Sequence, residues 1–167
     1  MERLDVKTAV AVDDAGAITG LAWPFGSPDR MGDVIEKGAF AGARPPVPML
    51  FGHDGNDPVG VWDDLVEGSD GFRVKGRLLV DDVARAREVR ALVIAGAVGG
   101  LSIGFVARKA APRRGGGRTI SALDLVEVSL VAIPMHPGAR VTGAKSAAAA
   151  IALAEAINRA AAALRRT

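Results

Sequence analysis

The sequence contains no cysteine, which excludes disulfide staples, a thiol nucleophile and cysteine-based zinc sites, and is compatible with a reducing compartment. Histidine is nearly as scarce, with His53 and His136 the only imidazoles. Two histidines make a poor ligand set for a tight transition-metal site, although Asp54, Asp57, Asp63 and Asp64 lie near His53 in the chain. No metal and no cofactor are expected. Neither sign of charge dominates: 21 Lys and Arg against 19 Asp and Glu leave a net charge of +2. No strong field advertises nucleic acid or an anionic membrane, so neither is expected as a partner. Long apolar runs are missing too. The longest candidate, near the C-terminus, is mostly Ala and is broken by Glu155 and Arg159, so no transmembrane helix is expected. Met1–Asp5 is charged and has no apolar segment behind it, so no signal peptide is expected. No internal repeat is present.

What is present is an ordinary globular balance: 167 residues, 49% hydrophobic and 24% charged, enough for one domain with a sizeable core. Residues 8–12 and 18–23 read as strands joined by the turn residues 13–16, a hairpin. Residues 24–38 are punctuated by Pro and Gly without a regular period. A short helical turn near 39–43 and an extended link over 44–48 follow. A strand over 48–53 delivers His53. Residues 59–62 alternate as a strand, 63–71 read as a polar loop, and 72–78 alternate as a half-exposed strand. Asp81 and Asp82 are candidate caps for a helix over about 82–95, with Ala86, Val89 and Val93 on one stripe. Residues 96–100 stop that helix and lead into the strand of Ser102. Residues 108–118 form a basic, Gly-rich hairpin tip. It reads as a solvated, mobile loop rather than a phosphate site, because it lacks aromatics and a strand–loop–helix context. Residues 120–133 return as a strand. From Ser146 the Ala-rich run reads as a helix with Leu153, Ile157, Ala160 and Leu164 on one face. This order predicts an α+β fold with a mainly antiparallel sheet or barrel.

The stretch Gly99-Gly100-Leu101-Ser102-Ile103-Gly104-Phe105 carries one hydroxyl on an apolar strand. A buried serine needs a hydrogen-bond partner, and a satisfied core hydroxyl is its commoner meaning. As a nucleophile it needs a base within reach, and that base needs an orienting group on its other nitrogen. Ser102 is read as the nucleophile and His53, closing Met49–Asp54, as the base. Glu127 is the carboxylate most clearly set among apolar residues. Buried, it requires a partner, for which an arginine is the plainer choice. His136, between Met135 and Pro137, is read as structural or exposed.

Four pieces occur in one order: Asp29-Arg30-x-Gly32-Asp33-Val34-Ile35 leading to Gly38-Ala39-Phe40, then Gly52-His53-Asp54, then Gly100–Phe105, then Leu125-x-Glu127-x-Ser129-Leu130-Val131-x-x-Pro134. Together they resemble the prohead (capsid maturation) serine proteases of tailed phages, the HK97 type, over about residues 8–142. The resemblance implies a fold similar to the herpesvirus assemblins, a β-barrel-like core wrapped by helices. It implies an endopeptidase that cuts scaffold, or the scaffolding arm of the major capsid protein, inside the assembling procapsid in the host cytoplasm. Such proteases often cut themselves, and a homo-oligomer is expected. Carried over by position, Ser102 matches the nucleophile and His53 the base. Glu127 falls where herpesvirus relatives place a second histidine as third member. His136 falls where many phage relatives carry Asn, which speaks against a catalytic role. Residues 1–143 are then the protease domain and 144–167 an Ala-rich C-terminal helix, where relatives extend into a scaffold-like region.

Glu127 is preferred as third member over Asp124 and Asp54. Its strand follows that of Ser102 through a hairpin, whereas Asp54 would point to the other side of a strand from His53. The competing expectation is a non-catalytic assembly protein on the same fold, held in a shell by its C-terminal helix. Intact Ser102, His53 and Glu127 favour the enzyme.

Overall fold

The computed structural model describes residues 12–143. Eight strands and one helix follow in order: β1 (Ala17–Pro24), β2 (Val34–Ile35), β3 (Val47–Phe51), β4 (Pro58–Glu67), β5 (Gly71–Leu78), α1 (Ala84–Ile94), β6 (Gly100–Pro112), β7 (Arg118–Val131) and β8 (Arg140–Val141). The spatial order is β2-β7-β3-β4-β5-β1-β8-β6, and β6 pairs back onto β7. That last pairing closes seven strands into a barrel, with β2 held on β7 alongside β3. Closure leaves few free edges on a sheet whose strands are mostly apolar on one face. Pairing is antiparallel except where β2 and β3 lie on β7, both parallel.

The barrel-like, mainly antiparallel core follows from strand alternation. The expectation that helices wrap it is corrected: α1 is the only helix among the described residues. The Ala-rich segment from Ser146 lies outside the described residues. The helix buries Ala86, Val89 and Val93, the stripe read from the sequence. Burying each valine contributes about 1.5–3 kcal/mol. Its N-cap is Val83, with no side-chain cap, so neither Asp81 nor Asp82 caps it. Instead the Val83 and Ala86 N–H groups are satisfied by Leu79 and Val83 carbonyls in a preceding turn.

Three further expectations are corrected. The polar stretch 63–71 is not a loop, because β4 runs through to Glu67. Asp63 pairs with Arg77 and Asp64 lies opposite Lys75, so cross-strand charge stabilises a part of the ribbon that faces water. The region 39–43 is a succession of single turns. The hairpin tip is tighter than a solvated loop: it spans only 113–117, and Arg113 donates to the Gly32 carbonyl while Arg118 forms a two-pronged pair with Asp33.

The core is aromatic at its centre. Phe40 stacks on Phe72 with ring centroids 4.0 Å apart. The fully buried Trp62 donates its indole N–H to the Val128 carbonyl at 3.0 Å, tying β4 to the strand that carries Glu127.

Candidate active site

The β6–β7 ladder sets Ser102 opposite Ser129 and Gly104 opposite Glu127. Directly opposed residues share a face, and residues two apart share it again. Ser102, Gly104, Glu127 and Ser129 therefore lie together on the face opposite Leu101, Ile103, Val128 and Leu130, which point into the core. Gly104 is required at its place for room: a Cβ there would stand 2.4 Å from Glu127 Oε1 and 2.9 Å from its Cγ.

His53 reaches this face from a turn, not from a strand. β3 ends at Phe51, and Gly52 and His53 both take the left-handed conformation, at φ 64 and 63. A side chain in that region costs about 1–2 kcal/mol and persists where surroundings over-determine it. Here they do. Gly52 N–H donates to the Leu130 carbonyl, and His53 N–H donates to Ser129 Oγ at 3.1 Å. Arg85 of α1 adds an outer brace, stacking over Phe51 and pairing with Asp57 at 3.0 Å.

The imidazole Nδ1 lies 2.7 Å from Glu127 Oε1. Ser129 Oγ donates to the other carboxylate oxygen, Oε2, at 2.7 Å. An ionised carboxylate only accepts, so Nδ1 carries a proton, and in the neutral ring the lone pair is then on Nε2. The partner of Glu127 is thus histidine and serine rather than arginine. Asp54 is spent in its own turn, accepting from Asn56 N–H at 2.8 Å, and Asp124 faces outward onto Arg108. Neither competes for the ring.

Ser102 is buried, and its Oγ makes no hydrogen bond to His53 among the described residues; the ring side chain is 44% exposed. Ser102 also lines a small cleft together with Trp23, Leu101, Phe105, Met135 and His136. The indole N–H of Trp23 is buried there without an acceptor among the described residues.

His136 is structural in its bonding. Its Nδ1 accepts from Gly138 N–H at 3.1 Å, Nε2 faces the Ser27 carbonyl at 3.2 Å, and its ring meets Trp23 edge-on. Asp57 and Asp63 are taken by arginines, and no three His, Asp or Glu among the described residues gather around a metal-sized space. Ser129 went unnoticed in the sequence as a site residue. Its signal was there: it shares the parity of Glu127, two residues on.

A closed barrel carrying an imidazole–carboxylate pair beside a buried serine narrows the comparison to one class. The sequence profile described as caudovirus prohead serine protease matches residues 2–153. The chain belongs to that family. Among named relatives, the prohead protease of Enterobacteria phage HK97 is 33% identical over 138 residues, which cover 78% of this chain and 61% of that protein. The chain thus spans about three fifths of that relative's length. Among solved structures, the KSHV protease in complex with a hexapeptide phosphonate inhibitor aligns with a TM-score of 0.49 at 17% identity, over 75% of this chain and 63% of that one. The Kaposi's sarcoma herpesvirus protease with an allosteric inhibitor aligns at 0.44 and 18%, over 75% and 74%.

Proposed function

We propose that the chain is a serine endopeptidase of capsid maturation, with Ser102 as nucleophile, His53 as general base and Glu127 as the carboxylate that orients the base. The observation that carries this reading is the His53 Nδ1–Glu127 Oε1 contact of 2.7 Å, made on the face where Ser102 is the cross-strand partner of Ser129. The chemistry then runs as acyl transfer. Ser102 Oγ attacks the scissile carbonyl carbon while His53 Nε2 takes its proton. Glu127 stays ionised, holds the Nδ1 proton and stabilises the imidazolium. As the C–N bond breaks, His53 returns the proton to the leaving amine. Water, deprotonated by the same nitrogen, hydrolyses the acyl-enzyme and frees Ser102.

The family description and the relative's name, both of a prohead protease, support a substrate belonging to the prohead; on this reading it is capsid or scaffold protein, met inside the assembling shell. Cleavage of its own chain and assembly as a homo-oligomer belong to the same proposal. One observation favours a non-catalytic assembly protein, the missing Ser102–His53 hydrogen bond. It weighs less, because such bonds are commonly long without substrate and close when it binds, and a half-exposed ring has freedom to swing. The test is co-incubation of the purified chain with its capsid protein, with new termini mapped by mass spectrometry. Discrete cleavage that disappears in Ser102→Ala supports the reading. Cleavage that persists in Ser102→Ala contradicts it.

A further inference from the structure

The motif Asp29–Asp33 touches neither His53 nor Glu127, yet it is built with more hydrogen bonds than a connecting loop requires. Asp29 Oδ1 accepts from Met31 N–H at 2.8 Å and Asp33 N–H at 2.9 Å, and Asp29 N–H donates to the Asp33 carbonyl at 2.9 Å. This folds the five residues into one rigid unit. The hairpin tip holds that unit from one side, through Arg113 on the Gly32 carbonyl and Arg118 on the Asp33 carboxylate.

On its other side the unit holds the segment after β7. Arg30 N–H donates to the Met135 carbonyl at 3.1 Å, and Arg30 Nε donates to the Pro134 carbonyl at 3.1 Å. Those two carbonyls belong to the peptides whose N–H groups are on Met135 and His136. Both peptides are trans, so each N–H points away from the carbonyl that Arg30 has taken. Neither N–H has an acceptor among the described residues. Met135 and His136 also line the cleft that holds Ser102. The segment is pressed close to the nucleophile strand: a Cβ on Gly100 would stand 2.7 Å from Pro134 Cδ.

We infer that Arg30 is a positioning residue of the site: by holding the Pro134 and Met135 carbonyls, it fixes two free backbone N–H donors at the cleft beside Ser102. The inference rests on the reading of Ser102 as nucleophile. Donors fixed in advance stabilise an oxygen that gains negative charge during attack, and they do so without reorganising at the moment of reaction. Arg30 acts through the backbone it holds, and its own side chain is exposed.

The substitutions that separate this role from others are Arg30→Gln and Arg30→Met. Glutamine Nε2 stands the same number of bonds from Cα as arginine Nε, so Gln keeps an N–H for the Pro134 carbonyl while losing the charge. Methionine keeps the length and loses the donor. The readout is labelling of Ser102 by a fluorophosphonate probe, with the maximal labelling rate and the half-saturating concentration measured separately. Arg30→Met is expected to lower the maximal rate about 10–100-fold, less than outright loss of one donor, with half-saturation within about twofold of wild type. Arg30→Gln is expected to keep the rate within about threefold of wild type, and both variants to melt within a few degrees of it. Wild-type rate in Arg30→Met overturns the inference, as does a change in half-saturation alone, which marks a direct contact with the probe. Equal losses in both variants mark a need for charge and overturn it too. Should Arg30→Met fail to fold, the Arg30→Gln rate decides alone, and a loss beyond tenfold overturns the inference. If Ser102 is not labelled in the wild type, the nucleophile assignment fails and the inference falls with it.

Discussion

Gly104→Ala adds one methyl group, and the structure says where it goes. The new Cβ would stand 2.4 Å from Glu127 Oε1, 2.9 Å from Cγ and 3.0 Å from Cδ, against a floor of 3.0 Å for real Cβ contacts. The carboxylate oxygen that faces His53 Nδ1 must retreat by about 0.6 Å. It cannot do so by moving backbone, because Gly104 and Glu127 are ladder partners. The side chain must rotate, and rotation breaks either the His53 contact or the Ser129 contact. Misplacing a catalytic group by up to 1 Å costs as much as about 10²-fold in rate, so turnover is expected to fall about 10–100-fold. Stability changes less. Alanine in a strand gains about 0.5–1 kcal/mol over glycine, and a weakened buried carboxylate hydrogen bond costs about 1–3 kcal/mol, leaving a net loss of at most about 2.5 kcal/mol. The assay is substrate cleavage beside a thermal melt, with Gly42→Ala as control, since a Cβ at Gly42 meets nothing nearer than the Leu123 carbonyl at 3.9 Å. A double-mutant comparison localises the effect: in a Glu127→Ala background the added methyl should cost no further activity. Full turnover in folded Gly104→Ala would refute the claim that the carboxylate position governs the base.

Glu127→Gln should keep the fold and lower turnover by up to about 10⁴-fold, less than loss of the nucleophile, because the wrong ring tautomer is favoured while Ser102 remains; kinetics against Ser102→Ala check the order. Ser129→Ala removes the acceptor of the His53 N–H and the donor to Glu127 Oε2, so it should cost about 1–3 kcal/mol in urea unfolding and also slow turnover. Asp33 is held below the ordinary carboxylate range by the hydrogen bonds of Arg118, which outweigh its burial. A depressed folded value stabilises the fold above the unfolded value of about 3.9 and loses that contribution as pH falls through the folded one. Asp33→Asn should therefore flatten the acid limb of an unfolding-midpoint profile below about pH 4, and an unchanged limb would count against the pair.

Much of the barrel was legible as alternation. Phe72–Leu78 read correctly because one parity is buried and the other wet, whereas the return strand of Glu127 was readable from its long apolar run, since Glu127–Val131 are buried on both parities. The second half of β4 was not legible, since Asp63 and Asp64 face water and take their support from Arg77 and Lys75 on a neighbour that local sequence does not name. The barrel closure depends on β6 pairing β7 after β7 has taken β3, a fact of topology rather than of any single segment. At the site, the parity of Glu127 was readable, and so was its need for a partner. That His53 leaves the strand and turns left-handed was not, because its conformation is fixed by Ser129, 76 residues away in sequence. Arg30 was visible within its motif, but its acceptor on Pro134 lies 104 residues on.

The central claim is that Ser102 is an activated nucleophile served by the His53–Glu127 pair. Its most direct test is a fluorophosphonate probe followed by peptide mapping of the wild-type protein, with His53→Ala and Glu127→Gln labelled in parallel. The account predicts one modified residue, Ser102, with labelling lost in His53→Ala and slowed by orders of magnitude in Glu127→Gln. Labelling of Ser102 at the wild-type rate in His53→Ala, or no labelling of Ser102 at all, would contradict it.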